Sequence, residues 1–73
     1  MSQVSEMTYN QEQDRWIVSL DGQLYGLHCG ESFNILIGPQ CIECRLELGR
    51  DWYIIAENAR FNLRIQDRYR VIL

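Results

Sequence analysis

No lysine occurs anywhere in the 73 residues, and all seven positive charges are arginines, set against ten carboxylates for a formal net charge of −3. That balance argues against a general polyanion binder, because neutralising phosphates supplies much of nucleic-acid affinity. There is one histidine, His28, so acid–base catalysis would have to rest on carboxylates such as Glu43 and Glu47. These flank Arg45 on the polar side of one expected strand, the ordinary composition of a solvated face. No apolar run approaches the roughly 20 residues that cross a bilayer. Met1 to Asn10 lacks the basic-then-apolar order of a secretory leader. The three cysteines, Cys29, Cys41 and Cys44, are an odd number, which suits reduced thiols better than a disulfide framework. The expectation is a soluble cytoplasmic protein that is not an enzyme and needs no cofactor.

What is present is short alternation punctuated by turn residues. Arg15 to Leu20 alternates with Trp16, Val18 and Leu20 on one face, and Asp21-Gly22 then gives a strong two-residue hairpin signal. Gln23 to His28 is the return strand, and Cys29-Gly30 breaks it. Glu31 to Ile37 resumes the period of two through Phe33, Ile35 and Ile37, and Gly38-Pro39 ends it. Cys41 to Leu48 is the cleanest strand, with Ile42, Cys44, Leu46 and Leu48 opposite Cys41, Glu43, Arg45 and Glu47. Gly49-Arg50-Asp51 turns into Trp52 to Ile55. A three-residue loop sets Trp52 inside opposite Leu48, whereas a two-residue loop sets Tyr53 there.

Thr8 to Asn10 is a short first strand, and Met1 to about Glu6 is expected to be disordered. Near the other end, Phe61, Leu63 and Ile65 alternate with Arg60, Asn62 and Arg64, which favours a strand over the helix suggested by the spacing of Arg60, Arg64 and Arg68. Tyr69, Val71 and Leu73 complete the set. No internal repeat or linker is expected. The chain reads as one all-β domain, a small SH3-like barrel or β-roll of five to seven short antiparallel strands. A domain this small buries only about 60% of the surface its unfolded chain exposes, so its two Trp, four Tyr and two Phe must supply much of the core.

Cys41 and Cys44 have zinc-like spacing, with His28-Cys29 upstream. Structural zinc usually draws such a pair from a tight turn, whereas residues three apart in a strand face opposite sides. Buried or half-buried free thiols are the expected outcome, with no metal. The same divergence removes a redox dithiol and a His28–Cys29 nucleophilic pair. Trp, Tyr and Arg are the side chains enriched at interface hot spots, so protein binding fits the composition better than catalysis. The candidate contact residues are Trp52, Arg60, Arg64 and Arg70, in a monomer or weak homodimer. A nucleic-acid surface built from the arginine-rich final third is the alternative.

Leu27-His28-Cys29-Gly30-Glu31-Ser32-Phe33, followed by Cys44-Arg45-Leu46-Glu47 and Asp51-Trp52-Tyr53-Ile54-Ile55, resembles a family of small bacterial domains of unknown function found in Gram-positive genomes and mobile elements. Its signature is L-H-C-G-E-x-F, then R-x-E, then W-Y, and it covers roughly residues 24 to 73. The resemblance implies an SH3-like barrel in which Cys29-Gly30-Glu31 is a structural turn, Gly30 for its backbone freedom and Glu31 as an acceptor for turn amides. It also implies an accessory role in a mobile element or its host. The family pattern closes with a glycine-containing turn, and Gln66-Asp67-Arg68 stands in that place here.

Overall fold

The computed structural model describes residues 3–73. It contains eight strands: β1 Val4–Asn10, β2 Arg15–Leu20, β3 Gln23–Gly26, β4 Ser32–Ile37, β5 Gln40–Leu48, β6 Trp52–Ala56, β7 Ala59–Asn62 and β8 Tyr69–Ile72. All pairings are antiparallel, in the order β3-β2-β1-β8-β4-β5-β6-β7. The all-β class holds, but the strands number eight rather than five to seven. The order has two ends rather than closing as a barrel, so β3 and β7 are edges. There is no helix among the described residues.

Turn chemistry sets the hairpins. Asp21 and Gly22 sit at φ 52° and 78°, joining β2 to β3 with Leu20 opposite Gln23, as a type I′ turn requires. Gly38 at φ 57° and Pro39 join β4 to β5, with Ile37 opposite Gln40. Glycine in the first central position with positive φ is the type II′ arrangement. Leu48 lies opposite Trp52, so the β5–β6 connection is the three-residue Gly49-Arg50-Asp51 loop. Trp52 therefore faces inward and is 9% exposed, while Tyr53 takes the outer face.

Directly opposed residues share a face of the sheet, and one face holds the core. Met7, Trp16, Val18, Phe33, Ile35, Cys44, Leu46, Trp52, Ile54, Ala56 and Val71 lie on it, joined by Leu27 and Leu63 from the connections. With no helix to cover that face, the sheet curls over itself. Tyr9 on β1 and Leu48 on β5 line one concavity, although three strand steps separate them, about 14 Å in a flat sheet.

Three expectations about strand bounds are corrected. Val4–Glu6 is part of β1, paired with β8, not a disordered lead-in; Met1 and Ser2 lie outside the described residues. β3 stops at Gly26 rather than continuing to His28. Only Ala59–Asn62 of the arginine-rich segment is strand. Beyond it the chain turns, so Leu63 is buried while Phe61 and Ile65 are 43% and 47% exposed. Phe61 does face inward, opposite Ile54, but on an edge strand nothing covers its outer side.

The expectation of no internal repeat also fails. Trp16, Val18, Tyr25 and Leu27 recur as Trp52, Ile54, Phe61 and Leu63 at a constant spacing of 36 residues. Asp21 and Glu57, at the same spacing, share a positive φ of 52° and 53°. The backbone ladders repeat as well, for the Leu27 amide donates to the Trp16 carbonyl at 2.8 Å and the Leu63 amide to the Trp52 carbonyl at 2.9 Å. Strands β1–β4 and β5–β8 are thus two copies of one four-stranded unit. Each copy gives its last strand to the other, since β4 pairs with β5 and β8 pairs with β1, and these two last strands pair with each other. The strand order is symmetric about the β8–β4 seam, where Asn34 faces Ile72 and Ile35 faces Val71. A half-domain of this size cannot bury its own apolar face; two of them exchanging strands can.

Candidate interaction surface

At one end of the curled sheet the β1–β2 turn, the β5–β6 loop and the connection after β7 surround a concavity of about 480 Å³. Tyr9, Leu48, Trp52 and Ile65 provide its apolar wall, and Asp14, Arg50, Asp51 and Arg64 its charged rim. The wall follows from alternation, since Tyr9 lies opposite Trp16 and Leu48 opposite Trp52 on the inward face. The rim follows from the turns, where charged residues need no inward partner. The Tyr9 hydroxyl donates to the Asp14 carboxylate, and this bond holds the phenol above its ordinary pKa, with a smaller opposing contribution from Trp52. The Arg64 amide donates to the Tyr69 hydroxyl at 2.9 Å, and its guanidinium lies 3.7 Å from Asp67. The connection that carries Arg64 is thereby tied to the core aromatic Tyr69, which packs edge-on against Trp16 at 5.7 Å.

Of the four candidate contact residues, Trp52 and Arg64 meet at this concavity, and Arg60 and Arg70 lie elsewhere. Arg60 is on the outer face of β7, its guanidinium 3.8 Å from the Tyr53 ring centroid. Arg70 is on the outer face of β8, opposite Glu6 on one side and Leu36 on the other. Four strand steps separate β8 from β7, about 19 Å of sheet. Carboxylates are interleaved among the arginines, with Arg68 3.7 Å from Glu6 and Arg45 2.5 Å from Glu47. The arginines form no continuous stripe. Sequence reasoning missed Tyr9, Asp14 and Arg50, which come from two repeats and meet only because the sheet curls.

The turn at Cys29-Gly30-Glu31 fixes the entry to β4. Gly30 is at φ 90°, a conformation that residues with a Cβ resist. Its amide donates to the Leu46 carbonyl at 2.7 Å, and the Leu46 amide donates to the Glu31 carbonyl at 2.9 Å. The contribution of Glu31 is thus through its backbone. Cys29 and Cys41 are exposed and Cys44 is buried, and burial, aided by the Glu43 charge, pushes the Cys44 thiol up to about 11. No group of three or more His, Cys, Asp or Glu side chains is gathered for a metal ion among the described residues.

With this geometry established, comparison with known proteins gives a consistent result. The family described as "Domain of unknown function (DUF5348)" matches residues 5–73. The chain belongs to that family. A crystal structure of a protein from Ruminococcus gnavus, a structural-genomics target, superposes with a TM-score of 0.78 at 32% identity, covering 97% of this chain and 100% of that one. No curated protein matches the chain.

Proposed function

We propose that this DUF5348 domain is a non-enzymatic protein-interaction module of the bacterial cytoplasm, acting as an accessory protein of a mobile element or its host, and that the Trp52–Arg64 concavity is its contact surface. The observation that carries the reading is the meeting of an aromatic and aliphatic wall with charges of both signs in one solvent-open hollow, the composition of interface hot spots. Mixed charge suits a polypeptide better than a phosphate backbone.

The test is capture from the native host by the intact domain and two double variants. Arg50→Gln with Arg64→Gln should abolish capture of the partner, and Arg60→Gln with Arg70→Gln should retain it. Both pairs are exposed, so folding should be unaffected, exposed ion pairs being worth about 0–1 kcal/mol. Loss on the second pair alone would overturn the assignment of the surface. Capture of nucleic acid that weakens steeply with salt, by roughly one power per phosphate contact, would replace the protein reading with the arginine-based one.

A further inference from the structure

The two edge strands occupy equivalent places in the two repeats, which makes each a control for the other. In a two-residue hairpin the closing pair is hydrogen bonded. Gln23 and Tyr25 therefore direct their backbone groups into β2, while Leu24 and Gly26 direct theirs outward. The residue at the centre of the β3 edge is Leu24, 74% exposed, the most open of the large apolar side chains among the described residues. Its counterpart on β7, 36 residues on, is Arg60. A charge on an edge strand is a standard barrier to pairing with another chain. The β7 edge carries that barrier, whereas β3, Gln23-Leu24-Tyr25-Gly26, has no charge, proline or bulge.

We infer that β3 is a self-association edge, at which two copies of this chain pair antiparallel through Leu24 about a two-fold axis. In that register Leu24 faces its own counterpart on the outer face, and the two Leu24 residues exchange their outward N–H and C=O groups. Tyr25 lies opposite the partner copy's Gln23, and Gly26 opposite the partner copy's Gly22. Charge complementarity selects a second copy over a foreign strand. The Arg15 side chain crosses β3 at Gly26, with its Cδ 2.6 Å from where a Cβ on that glycine would stand. It is thus carried towards the edge beside Gly22 of the other copy, whose neighbour is Asp21. The two-fold axis makes this Arg15–Asp21 pairing twice. On the inner face a mostly apolar hollow of about 410 Å³, lined by Leu20, Tyr25, Gly26, Leu27, Leu73 and the charged Glu31, opens beside the same edge.

Sedimentation velocity on the full chain, from micromolar to millimolar concentration, tests this. The parent should show a reversible monomer–dimer equilibrium. Leu24→Arg, which makes β3 resemble β7, should remain monomeric at every concentration with an unchanged circular dichroism spectrum. Asp21→Asn, which keeps a residue tolerant of positive φ, should weaken the dimer and blunt its salt dependence. Arg60→Leu should open the second edge and yield species larger than a dimer. A parent that is monomeric throughout overturns the proposal, as does a Leu24→Arg chain that dimerises as well as the parent.

Discussion

Replacing Trp16 separates two opposed contributions to stability. The side chain is fully buried, edge-on to Tyr9 at 5.5 Å and to Tyr69 at 5.7 Å, so truncating it to alanine should cost about 3–5 kcal/mol. A domain of this length has roughly 4–11 kcal/mol in total, so Trp16→Ala should be near unfolding. Trp16→Phe is a different case. The indole Nε1 is buried without a hydrogen-bond partner, and such a group costs about 1–3 kcal/mol. Phenylalanine removes it, while losing about 1.6 kcal/mol for two buried ring carbons and about 1 kcal/mol for the space left behind. The net change should lie within about 1.5 kcal/mol of zero. Urea unfolding followed by circular dichroism reads both variants directly. Thermal melts should place Trp16→Phe within about 10 °C of the parent, at about 4–8 °C per kcal/mol for a domain of this size. If Trp16→Phe costs about 2.6 kcal/mol or more, the full loss of ring carbons and space with nothing regained, the unpartnered indole is not a burden and the reasoning fails.

Thiol labelling at neutral pH should modify Cys29 and Cys41 readily and leave Cys44 untouched until the chain unfolds, because burial raises Cys44 to about 11. The linked stability is present below the ordinary thiol value near 9 and is lost as pH rises from there towards 11, since the unfolded chain ionises first; urea midpoints should fall across that window in the parent and fall less in Cys44→Ala. Gly30→Ala should cost about 1–2 kcal/mol from its left-handed backbone, measured by the same unfolding, although no atom obstructs the added Cβ.

The strands with a clean period of two, β2, β4 and β5, were legible because glycine and proline mark their ends and the inward positions are large and apolar. β1 was foreshortened because its inner face begins with Ser5, a small polar residue that is nonetheless 7% exposed and breaks the apolar alternation. The arginine-rich segment misled for the opposite reason. Phe61 and Ile65 extend an alternating pattern past the point where the chain leaves the sheet, and an edge strand does not bury what it turns inward. The repeat went unseen because its two copies share few identities beyond tryptophan and leucine, and because the first strands fall out of step, Tyr9 corresponding to Leu48 at a spacing of 39. The exchanged last strands keep the spacing of 36 only as conservative pairs, Phe33, Ile35, Leu36 and Ile37 recurring as Tyr69, Val71, Ile72 and Leu73. Sheet order was beyond local pattern, since β8 enters between β1 and β4 through pairings distant in sequence. The concavity was legible only as separate residues, Trp52 and Arg64, whose meeting depends on curvature.

The claim that the Trp52–Arg64 concavity is the contact surface is tested most directly by amide chemical-shift mapping of the isotope-labelled domain as its captured partner is added. The account predicts that the shifts cluster in residues 9–14, 48–52 and 62–66, on the walls of one hollow drawn from both repeats. Shifts centred instead on the outer faces of β8 and β4, around Arg70, with that hollow unmoved, would contradict it.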